Sequence, residues 1–203
     1  MKDYSSILSN IRRYVNFPQE EEIQLTSIIR TTRVKKRQFI DQPGFVSSYR
    51  HYVVKGAFRS YLVDKDGKEH TIKIAIDDWF INDFCSYIAQ EPATLFVEAL
   101  EDSHLFQMKY EDLEGLCSRN HNISEYFRMA AERAFAFSTK RALSTLSMTA
   151  EERYLEFTER YPGIFHRVPQ KVIASYLGIS PEFLSKIRAN FLKKDLIYIK
   201  QIS

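Results

Sequence analysis

The chain has 203 residues, of which 44% are hydrophobic and 27% charged, with only six Gly and six Pro. That balance excludes a long disordered tract and fits one large domain or two smaller ones. No apolar run approaches the ~18 residues of a membrane span, and MKDYSSILSN has neither a signal-peptide nor a lipidation pattern, so a cytosolic protein without a membrane partner is expected. The net charge is +3, but it is unevenly spread: residues 1–148 carry 20 basic and 20 acidic side chains, whereas 162–203 carry seven basic and two acidic ones. This asymmetry points to a polyanion as partner of the C-terminal segment.

The first 30 residues read as two short helices, with Ile7, Leu8, Ile11, Tyr14 and Val15 at helical spacing and Pro18 leading into Glu20-Glu21-Glu22. From about Thr31 to Met108 short β-branched and aromatic runs alternate with turn residues, and Asp66-Gly67 between two such runs signals a hairpin. Strands at this spacing predict an antiparallel barrel or jelly roll. Cys85 and Cys117 are too few for a disulfide framework or an iron–sulfur cluster and read as free thiols. After the short segment EDLEGL, residues 123–147 predict a long helix whose apolar side chains cover more than one face. Such a helix suits dimerisation, or packing along its own barrel. Thr149 with Glu152 is a capping box that opens a further helix ending at Pro162-Gly163.

Residues 170–187, QKVIASYLGISPEFLSKI, have the spacing of a helix-turn-helix. Ala174 stands where two helices cross, Gly178 at a turn that needs a left-handed backbone, Ser180 at an N-cap and Pro181 at a first helical position. With Leu184, Ile187 and Phe191 inward, the second helix presents Glu182, Ser185, Lys186 and Ala189 outward. Lys186 can donate to guanine or phosphate and Glu182 can accept from cytosine, while Ser180 and Ser185 suit phosphate oxygens. The DNA-facing set is completed by Gln170, Arg188 and Lys193. LKKDLIYIKQIS is expected to form a strand resembling a truncated wing, with Lys193 and Lys194 near the DNA backbone.

Taken together, the barrel pattern VVKGAFRSYLVDKDGKEHTIKIAIDDWFINDF, the long helix and the terminal helix-turn-helix resemble the cyclic-AMP receptor and fumarate-nitrate regulator (Crp/Fnr) family of bacterial transcription factors. The resemblance runs end to end. It implies an α+β architecture: an N-terminal jelly-roll barrel with flanking helices over 1–120, a dimerisation helix over 121–147 and a winged helix-turn-helix over 148–203. It implies a homodimer on double-stranded DNA, with RNA polymerase as a further partner. It also places the family's cyclic-nucleotide cassette on Asn82, Asp83, Ala93 and Thr94, and its base-reaching helix hydroxyls on Ser138 and Thr139. In the family an arginine clamps the cyclic phosphate; here Ala93 occupies that position, which would bury an anion without its counter-charge and argues against cyclic AMP. The branch expected is therefore one with a degenerate cassette and an effector of other chemistry, with Trp79, Phe84, Tyr87 and Phe96 as candidates to line an altered pocket or simply to fill the core. The lost N-terminal cysteine cluster excludes the family's iron–sulfur sensing.

A signalling protein that binds a nucleotide or metabolite without DNA is the alternative, and a cupin-type metalloenzyme the remote one. His51, His70, His104, His121 and His166 are scattered without a His-x-His pair, so no metal site is expected. No nucleophile elbow, phosphate-binding loop or dinucleotide fingerprint occurs, and the chain is not expected to be an enzyme.

Overall fold

The structure is a computed structural model that describes residues 3–202, with side chains up to residue 191. Helices α1 (Ser5–Arg12) and α2 (Gln19–Ile28) precede the strands β1 (Arg30–Val34), β2 (Phe39–Asp41), β3 (Tyr49–Lys55), β4 (Phe58–Val63), β5 (Glu69–Ala75) and β6 (Phe80–Ile81). A one-and-a-half-turn helix α3 (Phe84–Ala89) then interrupts the strands before β7 (Phe96–Ala99) and β8 (Ser103–Lys109). Sheets ordered β1-β8-β3-β6 and β2-β7-β4-β5, with every pairing antiparallel, make a jelly roll. The sequence reading found the strand run and the turn at Gly67 (φ +78°). It missed α3 and the two-residue β6, which are too short to carry a period.

Strand alternation separates three apolar layers. Val53, Phe58, Ala75, Ile81, Val97, Ala99 and Leu105 fill the space between the sheets. Tyr52, Phe106 and Met108 turn outward from the first sheet under Ile7 and Ile11 of α1, Leu25 of α2, and two later helices, α4 (Tyr110–Cys117) and α5 (His121–Ser147). Ile74 turns outward from the second sheet. With Ala57 and Leu100 it packs under α6 (Ala150–Arg160), α7 (Gln170–Leu177) and α8 (Pro181–Ile202), through Phe157, Val172, Ile173, Ala174, Leu177 and Leu184.

The expected capping box is present: Thr149 Oγ1 accepts from the Glu152 amide and Glu152 Oε2 from the Thr149 amide. The expected wing strand is not. Residues 192–202 continue α8 as helix, because no Gly or Pro stops the run after Phe191 and the Leu and Lys residues at 192–194 and 196 propagate a helix already nucleated. Among the described residues no helix is long and apolar enough to cross a membrane.

Candidate functional site

The α7–α8 corner is built by local chemistry. Gly178 adopts φ +70°, and the amides of Gly178 and Ile179 return to the carbonyls of Ser175 and Ala174, closing α7 as a glycine cap does. Ala174 is fully buried at the crossing. Ser180 caps α8, its Oγ accepting from the Phe183 amide at 3.1 Å. Leu184 and Ile187 are buried, leaving Glu182, Ser185, Lys186 and Ala189 exposed on the opposite face. Backbone hydrogen bonding and the Ser180 hydroxyl hold the Glu182 carboxyl below its usual range, so it is ionised at neutral pH.

Gln170, Ser180 and Pro181 are also exposed at the starts of the two helices. Arg188 is different: it is half-buried and its guanidinium lies 5.4 Å from the Phe165 ring centre. The Lys193 and Lys194 side chains lie outside the described residues.

This corner is tied to the barrel. Ser175 Oγ on α7 accepts from the Thr71 amide and donates to the Glu69 carbonyl of β5. Arg141 of α5 donates to the carbonyls of Thr71, Ile72 and Tyr176. Arg167 bridges Asp77, Glu101 and the Gly56 carbonyl.

The cassette positions form a second cluster. Asp83 is 1% exposed and caps α3: one carboxylate oxygen accepts from the Ser86 amide, the other from the amides of Thr94 and Leu95, both at 2.9 Å. The Thr94 hydroxyl lies at 3.5 Å from the same oxygen. Backbone amides converging on one point make an anion seat, and the chain's own carboxylate fills this one. Asp41 adjoins it, accepting from the Asp83 amide at 2.8 Å, and burial pushes the Asp41 carboxyl up to about 6. Ala93 is buried, with its amide and carbonyl paired to Phe45 and Gly44. Asn82 is buried beside Asp83. The amides of Thr94 and Leu95 are thus taken by the chain's own carboxylate, and the buried Ala93 brings no polar side chain to this point.

Ser138 and Thr139 are not brought to this cluster. Both are exposed on α5, and Thr139 donates to the Phe135 carbonyl of its own helix. The four candidate pocket rings also part company. Trp79 meets Tyr161, Phe96 stacks on Tyr61 and lies near Phe39 on the outer face of its sheet, and only Phe84 and Tyr87 stay together. Alternation in β7 is the cause, since Val97 takes the inward position. Arg59 on β4 is ion-paired with Glu69 and Glu98.

Residues 31–120 match the model of the cyclic nucleotide-binding domain. The chain has that domain's fold, with added helices. No curated protein matches the sequence. Similar solved structures include CLP of Xanthomonas campestris, a c-di-GMP responsive global regulator linking cell–cell signalling to virulence gene expression: 14% identity, TM-score 0.71, covering 88% of this chain and 94% of that one. FixK2 of Bradyrhizobium japonicum is 19% identical with a TM-score of 0.71, covering 83% of this chain and 86% of its own. A Crp/Fnr-family putative transcriptional regulator of Eubacterium rectale is 17% identical with a TM-score of 0.68, covering 88% and 85%. At these identities the likeness is one of fold.

Proposed function

We propose that this chain is a sequence-specific DNA-binding transcription regulator that works as a homodimer, with α8 as its recognition helix and a barrel that does not bind cyclic AMP. The observation that carries the reading is the first two turns of α8. A capped, proline-led helix is locked onto α7 by Leu184 and Ile187, and its free face offers one anion, one cation and a hydroxyl within a single turn. The net positive charge of 162–203 supplies the phosphate attraction. The dimer is supported by α5, where Phe135 is 75% and Leu146 85% exposed, with Leu143 also exposed, an apolar display that a lone helix has no reason to keep. The filled anion seat and Ala93 support a degenerate cassette.

The test starts from a duplex selected by the protein from a random pool, compared with a scrambled duplex over a salt series. Lys186→Ala is expected to cost about 1–3 kcal/mol on the selected site, and Glu182→Ala to relax sequence preference with little loss of non-specific binding. Lys193→Ala should weaken both duplexes alike and lower the salt slope by about one. An unchanged ratio of selected to scrambled affinity in both Glu182→Ala and Lys186→Ala removes α8 from the groove, and no DNA binding at all leaves the signalling reading.

A further inference from the structure

Tyr52 and Arg50 alternate with Val53 and His51 along β3, which places Arg50 on the outward face, beneath the helices. Arg50 is 7% exposed. Its guanidinium carbon lies 4.9, 5.2 and 4.9 Å from the ring centres of Phe80 on β6, Phe84 on α3 and Phe127 on α5. Ring faces offset part of the cost of burying a cation, yet a guanidinium has five N–H donors and rings satisfy them poorly. Among the described residues no carboxylate reaches ion-pair distance of Arg50 and no acceptor takes a hydrogen bond from its side chain; Nε is enclosed without a partner. The other barrel-contacting arginines are treated differently. Arg59 meets Glu69 and Glu98, Arg167 meets Asp77 and Glu101, and Arg141 meets three carbonyls.

A second enclosed group without a partner stands in the same place. Tyr87, on α3, stacks with Phe84, and its hydroxyl has no acceptor among the described residues. Phe84 joins the two groups, its ring centre lying 5.2 Å from the Arg50 guanidinium carbon and 6.4 Å from the Tyr87 ring centre. Lys73 adds a further cation close enough for Arg50 to disfavour its charged form, and its ammonium donates to the Phe80 carbonyl. Glu114 acts on Arg50 only from beyond ion-pair distance. The region is thus cationic, aromatic and short of hydrogen-bond acceptors among the described residues.

We propose that the junction of β3, α3 and the start of α5 is a binding site for a small, singly charged anion, with the Arg50 guanidinium and the Tyr87 hydroxyl as its donors and Phe80, Phe84 and Phe127 as its wall. A monoanion is favoured over a phosphate dianion because the cost of desolvating an ion rises with the square of its charge, and the aromatic wall compensates only an apolar body. The class is that of an apolar organic carboxylate or a halide. Phe84, whose side chain is exposed, is the solvent-facing member of this wall. Occupation would tie α3, the helix of the cassette, to α5, the helix with the exposed apolar display.

The experiment is thermal unfolding of the full chain at about pH 8.5, where inorganic phosphate is a dianion, and at fixed ionic strength with benzoate, chloride or inorganic phosphate, each balanced with a bulky inert salt. Because it uses no DNA, its failure and the failure of the DNA-binding reading are separate results. Benzoate is expected to raise the midpoint by about 5–10 °C at ~100-fold its dissociation constant, with phosphate silent; a shift with chloride as well marks the site as open to inorganic monoanions. Arg50→Met should abolish the shift. Tyr87→Phe, which keeps the ring and so keeps the fold, should weaken apparent benzoate affinity about tenfold and carries the test alone if Arg50→Met does not fold. A wild-type midpoint indifferent to both benzoate and chloride overturns the site, as does an undiminished benzoate shift in Tyr87→Phe, or a phosphate shift without a benzoate one.

Discussion

Two buried side chains in the barrel titrate in opposite senses over the same pH window. Burial raises the Asp41 carboxyl from 3.8 to about 6, so the folded chain holds a proton that the unfolded chain has released, and stability falls as pH rises through that interval. Burial lowers His51 from 6.5 to about 4, so the unfolded chain takes up a proton that the folded chain refuses, and stability falls as pH drops through nearly the same interval. Each effect amounts to about 3 kcal/mol. The contributions of these two groups therefore nearly cancel between pH 4 and 6.5. Urea unfolding across this range should show Asp41→Asn losing about 3 kcal/mol more than wild type on acidification, since the proton uptake that offsets His51 is gone, and His51→Gln losing about 3 kcal/mol less than wild type. Parallel wild-type and Asp41→Asn curves would mean that Asp41 is not the group that holds the proton.

At the scale of the element, the turn between β3 and β4 is the least replaceable of the glycine turns. Gly56 has φ +139°, and a Cβ there would lie 2.1 Å from Ser103 Oγ and 3.0 Å from the Ser103 Cα. Its amide donates to Asp77 and its carbonyl accepts from Arg167, so the backbone cannot rotate to relieve the clash without releasing both. Gly67, at φ +78° in the β4–β5 hairpin, has open space where its Cβ would go. Gly56→Ala should therefore cost about 3 kcal/mol or more and Gly67→Ala about 1 kcal/mol, read from denaturant midpoints at constant slope. Ser103→Gly added to Gly56→Ala should restore the steric share but not the share due to backbone strain. Equal losses in the two single variants would show that close packing at Ser103 is not what requires Gly56.

For the whole molecule, the question is what holds the C-terminal helices on the barrel. The apolar contact of Ile74, Ala57 and Leu100 with α6, α7 and α8 gives adhesion without register, while Arg167 fixes the register through Asp77, Glu101 and the Gly56 carbonyl. Because these partners are partly exposed, water screens the pair, and Arg167→Ala should cost only about 1–2 kcal/mol in global stability. Its larger effect should be local: the Thr71 amide, which donates to Ser175 across the junction, should exchange with solvent faster while the barrel interior stays protected. Unchanged exchange at Thr71 would assign the docking to the apolar layer alone. At the same scale, Leu146→Glu on the exposed stripe of α5 should convert the proposed dimer to monomer in light scattering without lowering the unfolding midpoint of the monomer, since Leu146 touches little of its own chain.

What the sequence determined by itself was whatever depends on residues a few positions apart. The Thr149–Glu152 box, the Gly178 turn, the Ser180 cap and the Leu184–Ile187 spacing are i to i+4 relations, and each is in place. The alternating strand run belongs to the same local kind. The wing was misjudged because Ile197-Tyr198-Ile199 favours a strand in isolation, whereas a helix already running from Pro181 extends through it one hydrogen bond at a time. Tertiary structure decided the rest. That Asp83 fills the amide seat of Thr94 and Leu95 depends on a loop closing over eleven and twelve residues, and that Trp79, Phe84, Tyr87 and Phe96 line no common pocket depends on which face each element turns inward. Arg50 had no local mark at all: a lone arginine in a strand reads as solvated, and only the packing of three phenylalanines from three separate elements removes it from water.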